Sequence, residues 1–195
     1  MLYYGKMPIL KEVELRFYIS KKEISKILKI FNEYDAVEVY EEDSYFCLSK
    51  YICKEYNTSK KTPYILRLRK SNKGYFFTFK RFTKNKTGWI EEECKIDNIK
   101  SIKKILQNIG YKMFLSIKKK RRFFSYDNIL INLDYIEKLG CFLEFEIHSN
   151  DISIAKKKMM NIAKNIFNIN IKNKIEIGYV QLMEKYLQGD KLNDN

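Results

Sequence analysis

Charged and apolar side chains take turns in two stretches, Lys11-Glu12-Val13-Glu14-Leu15-Arg16-Phe17 and Cys141-Phe142-Leu143-Glu144-Phe145-Glu146-Ile147. Successive side chains of a β-strand point to opposite faces, so Glu144 and Glu146 share one face about 6.6 Å apart, as do Glu12, Glu14 and Arg16. Paired carboxylates at that spacing suit a hard divalent cation, which takes oxygen ligands. The same parity elsewhere aligns Arg67 with Arg69, Thr78 with Lys80, Glu91 with Glu93, Lys119 with Arg121 and Asn132 with Asp134. Arginine occurs only six times, at 16, 67, 69, 81, 121 and 122, each time in a strand-like segment. Its planar fork of donors suits bidentate contact with phosphate oxygens.

The elements that must carry these residues follow from period and punctuation. Strands are predicted at about 9–19, 36–46, 64–69, 75–80, 89–96, 113–126, 129–135 and 139–147, the third and fourth joined by Ser71-Asn72-Lys73-Gly74 and the sixth and seventh by Asp127-Asn128. Ser20 with Glu23 reads as a capping box opening a helix that buries Ile24, Ile27, Leu28 and Phe31. Asp97 is the predicted cap of a second helix, with the stripe Ile102, Ile105, Leu106 and Ile109, ended by Gly110. Asp151 opens a third to about Phe167, and 175–187 reads as a last amphipathic helix carrying Tyr179, Leu182, Met183 and Tyr186. Residues 47–63 are polar and without period, a loop by composition; 1–7 reads as an extension and 189–195 as a frayed tail around a single domain of 195 residues.

One parity of seven strands collects six cations (Arg16, Arg67, Arg69, Lys80, Lys119, Arg121) and seven carboxylates (Glu12, Glu14, Glu91, Glu93, Asp134, Glu144, Glu146), a near balance in a chain whose formal charge is +14. A merely solvated face should share the excess of lysine. The opposite faces are apolar, and amphipathic helices are available to cover them, as in a sheet closed on itself around a polar interior. The residues alone leave both readings open, a charged tunnel or a charged outer face. Asp43 is likewise open between a tunnel residue and a strand-end acid.

Composition narrows the class. Hydrophobic residues make up 45% and aromatics 15%, enough for a packed core and against disorder. No apolar run approaches the length of a membrane span and no signal-peptide pattern opens the chain, so a cytoplasmic protein without a membrane partner is expected. Four cysteines (Cys47, Cys53, Cys94, Cys141) lack zinc or disulfide spacing and read as reduced thiols. The basic excess admits a polyanion-binding module for polyphosphate or RNA, but lysine, asparagine and isoleucine are enriched throughout, and nucleic acid is not the expected partner.

In order along the chain, Glu12-Val13-Glu14-Leu15-Arg16, Asp43-Ser44-Tyr45-Phe46, Leu66-Arg67-Leu68-Arg69, Thr78-Phe79-Lys80, Glu91 and Glu93, Lys119 and Arg121, Leu133-Asp134, Leu139-Gly140 with Phe142, Glu144 and Glu146, and Tyr179-Val180-Gln181-Leu182 resemble the motifs of the CYTH superfamily, the triphosphate tunnel metalloenzymes that include class IV adenylate cyclases and thiamine triphosphatases. The resemblance implies an α+β fold, an eight-stranded antiparallel β-barrel tunnel with a charged interior, flanked by α-helices. It implies a triphosphate held by Arg67, Arg69, Lys80, Lys119 and Arg121 with Glu91 and Glu93 assisting, Mg2+ or Mn2+ held by Glu12, Glu14, Glu144 and Glu146, and catalytic roles for Arg16, Lys119, Arg121 and Asp134. Arg16 stands where the family usually has Lys, which suits phosphate binding and not a general base. Trp89 and Leu130 stand where relatives often carry Arg, so the holders of the substrate's non-phosphate end are unspecified. The form Leu-Gly-x-Phe-x-Glu-x-Glu resembles the class IV cyclase branch, implying conversion of ATP to cyclic AMP and pyrophosphate; a metal-dependent triphosphatase is the alternative, and a homodimer is left open.

Overall fold

A computed structural model describes residues 11–48, 64–82 and 89–189. The expected 1–7 extension, most of the 47–63 loop with Cys53, residues 83–88 and nearly all of the 189–195 tail lie outside the described residues.

The described elements are β1 (Lys11–Ile19), α1 (Lys21–Glu33), β2 (Val37–Leu48), β3 (Tyr64–Ser71), β4 (Gly74–Phe82), β5 (Trp89–Ile96), α2 (Ile99–Asn108), β6 (Tyr111–Tyr126), β7 (Ile129–Ile136), β8 (Gly140–Ser149), α3 (Ile152–Asn165), β9 (Lys174–Ile175) and α4 (Tyr179–Leu187). All pairings are antiparallel, in the order β5-β4-β3-β2-β6-β7-β8-β1-β9. β1 also meets β5 at one register pair, Glu12 with Trp89. The eight long strands therefore come round into a barrel through a single bridge rather than a full ladder.

The helices α1, α2 and α3 cover outward apolar parities. Val13, Leu15 and Phe17 of β1, Ile131 and Leu133 of β7 and Leu143 and Phe145 of β8 pack under Ile27 and Phe31 of α1 and Ala155, Met159, Ile162 and Ala163 of α3. Phe46, Leu66 and Leu68 pack with Leu106 of α2. Fully burying a side chain of this kind contributes about 1.5–3 kcal/mol, which holds the outward faces against the helices and commits the alternate faces to the interior.

The capping box forms as expected: the Glu23 carboxylate accepts from the Ser20 N–H at 2.9 Å and its hydroxyl at 2.6 Å. Asp151 caps α3 by accepting from the Ile154 N–H at 2.9 Å. Four expectations need correction. Asn98, not Asp97, caps α2, accepting from the Ser101 N–H at 3.0 Å. Within α2 the packed stripe is Ile99, Ile102 and Leu106, while Ile105 and Ile109 are 53% and 60% exposed, because spacing of three and then four keeps one side on the sheet. The last helix starts at Tyr179 and not at 175: Ile175 is drawn into strand pairing with Arg16, and Gly178 caps the helix, its N–H donating to Gln181 Oε1. Finally, the interior is charged only over part of its length. Leu115, Ile117, Ile136 and Phe142 share the parity of the charged residues but form an apolar cluster under Val180, Leu182 and Met183 of α4, so this helix seals one end.

Glu184 of α4 has a buried Oε2 that accepts no hydrogen bond, and burial pushes its carboxyl up to about 7. A folded pKa raised above the unfolded one gives stability that is complete below the unfolded pKa of about 4.5 and is lost as pH rises through about 7. Glu184→Gln should therefore raise Tm at pH 8 by about 2–4 °C, after allowing for partial exposure, and leave it unchanged near pH 4, which calorimetry at the two pH values checks. Equal shifts at both would place the effect outside ionisation.

Candidate active site in the barrel interior

The register of β1 on β8 sets Arg16 opposite Glu144, Glu14 opposite Glu146 and Glu12 opposite His148. Four acids thus reach the interior from two neighbouring strands, with exposed His148 at the strand end. Arg16, itself buried, donates from Nε to Glu144 Oε1 at 2.7 Å and from Nη2 to the same oxygen. Nη2 also donates to Glu14 at 2.8 Å and Nη1 to the Ile177 carbonyl at 3.2 Å, and the guanidinium stacks 4.4 Å from the Tyr179 ring centroid. These contacts lock Arg16 in the charged state and leave it unsuited to accept a proton.

On the adjoining strands, Arg121 grips Asp134 with two bonds of 2.6 Å and Glu144 with a third of 2.6 Å. Across the barrel, Arg69 grips Asp43 at 2.7 and 2.8 Å and reaches Glu41 at 3.0 Å, which also pairs with Lys119 at 3.0 Å. Arg67 donates to Thr78, Glu91 and Glu93 at 3.1–3.2 Å. Lys80 lies between Glu14 at 2.5 Å, Glu12 at 3.0 Å and Glu91 at 3.1 Å. All these groups except Glu41, Asp43 and Asp134 line one cavity of about 350 Å³, together with Tyr45, Tyr64, Ile65, Leu130 and the first turn of α4. Asp134 is fully buried behind Arg121.

The interior of the described residues holds six cations against nine carboxylates once Glu41 and Asp43 are counted, and ionisation is uneven among them. Burial outweighs Lys80 at Glu12, and with Glu14, Glu146 and Glu91 nearby pushes its carboxyl up to about 10. Burial with Glu144 close by lifts Glu146 to about 8. At Glu144 burial is overcome by Arg16 and Arg121, which hold it well below the usual range; at Glu14, Lys80 and Arg16 overcome burial and bring it down to about 2. Burial at Asp43 is overcome by Arg69, with Arg67 and Lys119 adding to it, and its carboxyl lies far below the ordinary value.

Among the described residues no three Asp, Glu, His or Cys side chains are arranged as a ready ligand set for a metal ion; the acids are turned to the cations instead. The donor chemistry nonetheless fits a hard divalent cation: Glu12, Glu14, Glu144 and Glu146 offer oxygen only, and two of them are crowded enough to keep protons that a dication could replace.

Every site residue expected from the sequence thus reaches this interior or its immediate backing. Four further contributors carry no role in the sequence reading: Glu41, Thr78, Asn132 and Tyr179, whose hydroxyl donates to Asp134 at 2.9 Å. Glu41 shares the parity of Asp43 and Tyr45, but the run Glu41-Glu42-Asp43 hides the alternation. Nothing in a helical stripe marks the Tyr179 hydroxyl as polar anchor.

The sequence matches the model of the CYTH domain over residues 10–179. The chain belongs to the CYTH domain family. Family membership implies a divalent metal and a triphosphate-bearing substrate. A Methanocaldococcus jannaschii relative, named "Putative adenylate cyclase", is 29% identical over 177 residues, covering 88% of this CYTH chain and 97% of the relative. A conserved hypothetical protein of Pyrococcus furiosus has the same fold, with a TM-score of 0.71 at 24% identity over 88% of this chain and 99% of its own. A Hippeastrum protein superposes with a TM-score of 0.64 at 13% identity, covering 94% and 97% of the two chains. No described helix of this CYTH protein is long and apolar enough to cross a membrane.

Proposed function

We propose that this CYTH domain is an adenylate cyclase of the class IV type, converting ATP to cyclic AMP and pyrophosphate. The observation that carries the reading is the interior itself, where Arg67, Arg69, Lys80, Lys119 and Arg121 surround one cavity with Glu12, Glu14, Glu144 and Glu146. Three linked phosphates need fixed cations spread along their length, because charge on the leaving oxygens must be dispersed as phosphorus is displaced. Mg2+ or Mn2+ held by the four glutamates would supply the rest of that neutralisation. Asp134 acts as a positioning residue through Arg121; Glu91 and Glu93 do so through Arg67. Arg16 holds Glu144 and adds positive charge. Cyclisation forms a bond from the ribose 3′-oxygen to the α-phosphorus and breaks the bond to the bridging oxygen, so the reaction depends on aligning those atoms. The name of the M. jannaschii relative supports this assignment.

A second reading is a triphosphatase, with water as nucleophile. It is favoured by the modest cavity of about 350 Å³, near the lower end of the ~300–1,000 Å³ usual for ligand sites, and by the Hippeastrum protein, whose name couples adenylyl cyclase with a dominant triphosphatase activity. Product analysis from ATP with Mn2+ or Mg2+ decides. Cyclic AMP with pyrophosphate is the expected result. Orthophosphate without cyclic nucleotide, with faster turnover of inorganic triphosphate, would move the assignment to the hydrolase. No turnover of ATP, inorganic triphosphate or thiamine triphosphate with either metal would overturn both and favour a polyanion-binding module, whose affinity falls steeply with salt.

A further inference from the structure

Asn132 sits on the inward parity of β7, with Glu144 as its register partner on β8 and Phe123 on β6. It is 0% exposed. Its Nδ2 donates diagonally to Glu146 Oε1 at 3.1 Å, while its Oδ1, equally buried, accepts no hydrogen bond. Buried amide oxygens in native proteins almost always have a partner. The protein could avoid this one with an apolar residue, as it does two positions earlier on the same parity, where Leu130 stands opposite Glu146. The nearby guanidinium groups donate elsewhere: Arg121 to Asp134 and Glu144, and Arg16 to Glu144 and Glu14.

An amide that fixes a ligand carboxylate with its nitrogen and keeps an oxygen free beside it has the chemistry of an outer-sphere metal residue. Such residues orient the ligand and accept hydrogen bonds from water carried by the ion. We propose that Asn132 is an outer-sphere residue of the divalent-metal centre, its Nδ2 orienting Glu146 and its Oδ1 accepting from a metal-borne water. The proposal rests on the reading of Glu146 as a ligand. A side chain that merely satisfied Glu146 within the fold would affect stability with and without metal alike and would leave metal affinity untouched.

The experiment is Mn2+ binding to the nucleotide-free protein, followed by loss of the free-ion electron paramagnetic resonance signal. Asn132→Leu and the smaller Asn132→Ala should weaken Mn2+ by about ten- to a hundredfold while circular dichroism shows a native fold. Should the Leu variant fail to fold, the Ala variant decides. Wild-type affinity in the folded Leu or Ala variant overturns the inference. Absence of Mn2+ binding by the wild type, or undiminished binding by Glu146→Gln, would instead bring down the ligand reading and this inference with it.

Discussion

Glu146→Gln should abolish turnover while leaving the protein at least as stable as the wild type at pH 8, whereas Glu144→Gln should lose both activity and stability. The two acids are two residues apart on one strand face, and the sequence presents them as equivalent. Their surroundings are opposite. Glu146 is crowded by Glu144 and Glu14 and lifted to about 8 by burial and these neighbours, so at pH 8 its charge is a cost that Gln removes. Glu144 is almost fully buried and accepts from both Arg16 and Arg121. Removing its charge leaves two buried guanidinium groups short of a counter-ion, a loss on the order of 3 kcal/mol. Activity should fall by at least about a hundredfold in each, since a metal ligand supplies several kcal/mol of charge stabilisation. Urea midpoints and turnover measured side by side check the contrast. Equal destabilisation by the two substitutions would refute it.

The second large effect concerns Arg121 and Asp134. Arg121→Leu strands Asp134, fully buried and left, among the described residues, with the Tyr179 hydroxyl, and should cost on the order of 3–5 kcal/mol. Adding Asp134→Leu removes the orphaned charge, and an apolar pair of similar volume in place of a buried ion pair is often neutral. The double variant should regain at least half of the lost stability and remain inactive, because the cradle still lacks a cation. Recovery of activity along with stability would show that Arg121 supports the fold and does not contact substrate. A double-mutant cycle in urea, with turnover on each protein, separates the two.

Much of this site was legible because alternation is local. Each strand declares its charged parity within four or five residues, and amphipathic helices announce what covers the other side. The motif order then placed Glu12, Arg67, Lys80, Lys119 and Glu144 in one interior. What could not be read depended on contacts between distant segments. The bridge from Glu12 to Trp89 leaves no mark on either strand. The two-residue strand β9 is fixed by pairing with Arg16 and Phe17, which overrides the helical look of the residues before Tyr179. The apolar end of the interior, with Ile117 and Phe142 under α4, follows the same parity as the charges, yet an apolar residue on both faces of a strand gives no sign of which one is lined by another element. Glu41 escaped notice because three acids in succession carry no period.

The pairing of every interior arginine with a carboxylate makes the cavity a charge-exchange device. On the proposed assignment, a triphosphate that engages Lys80 or Arg16 must draw them from Glu12, Glu14 and Glu144, and a dication held by those acids would release the two cations. Each ligand would then prepare the site for the other, and thermodynamic reciprocity would require the enhancement to be identical in both directions, typically about 5–150-fold.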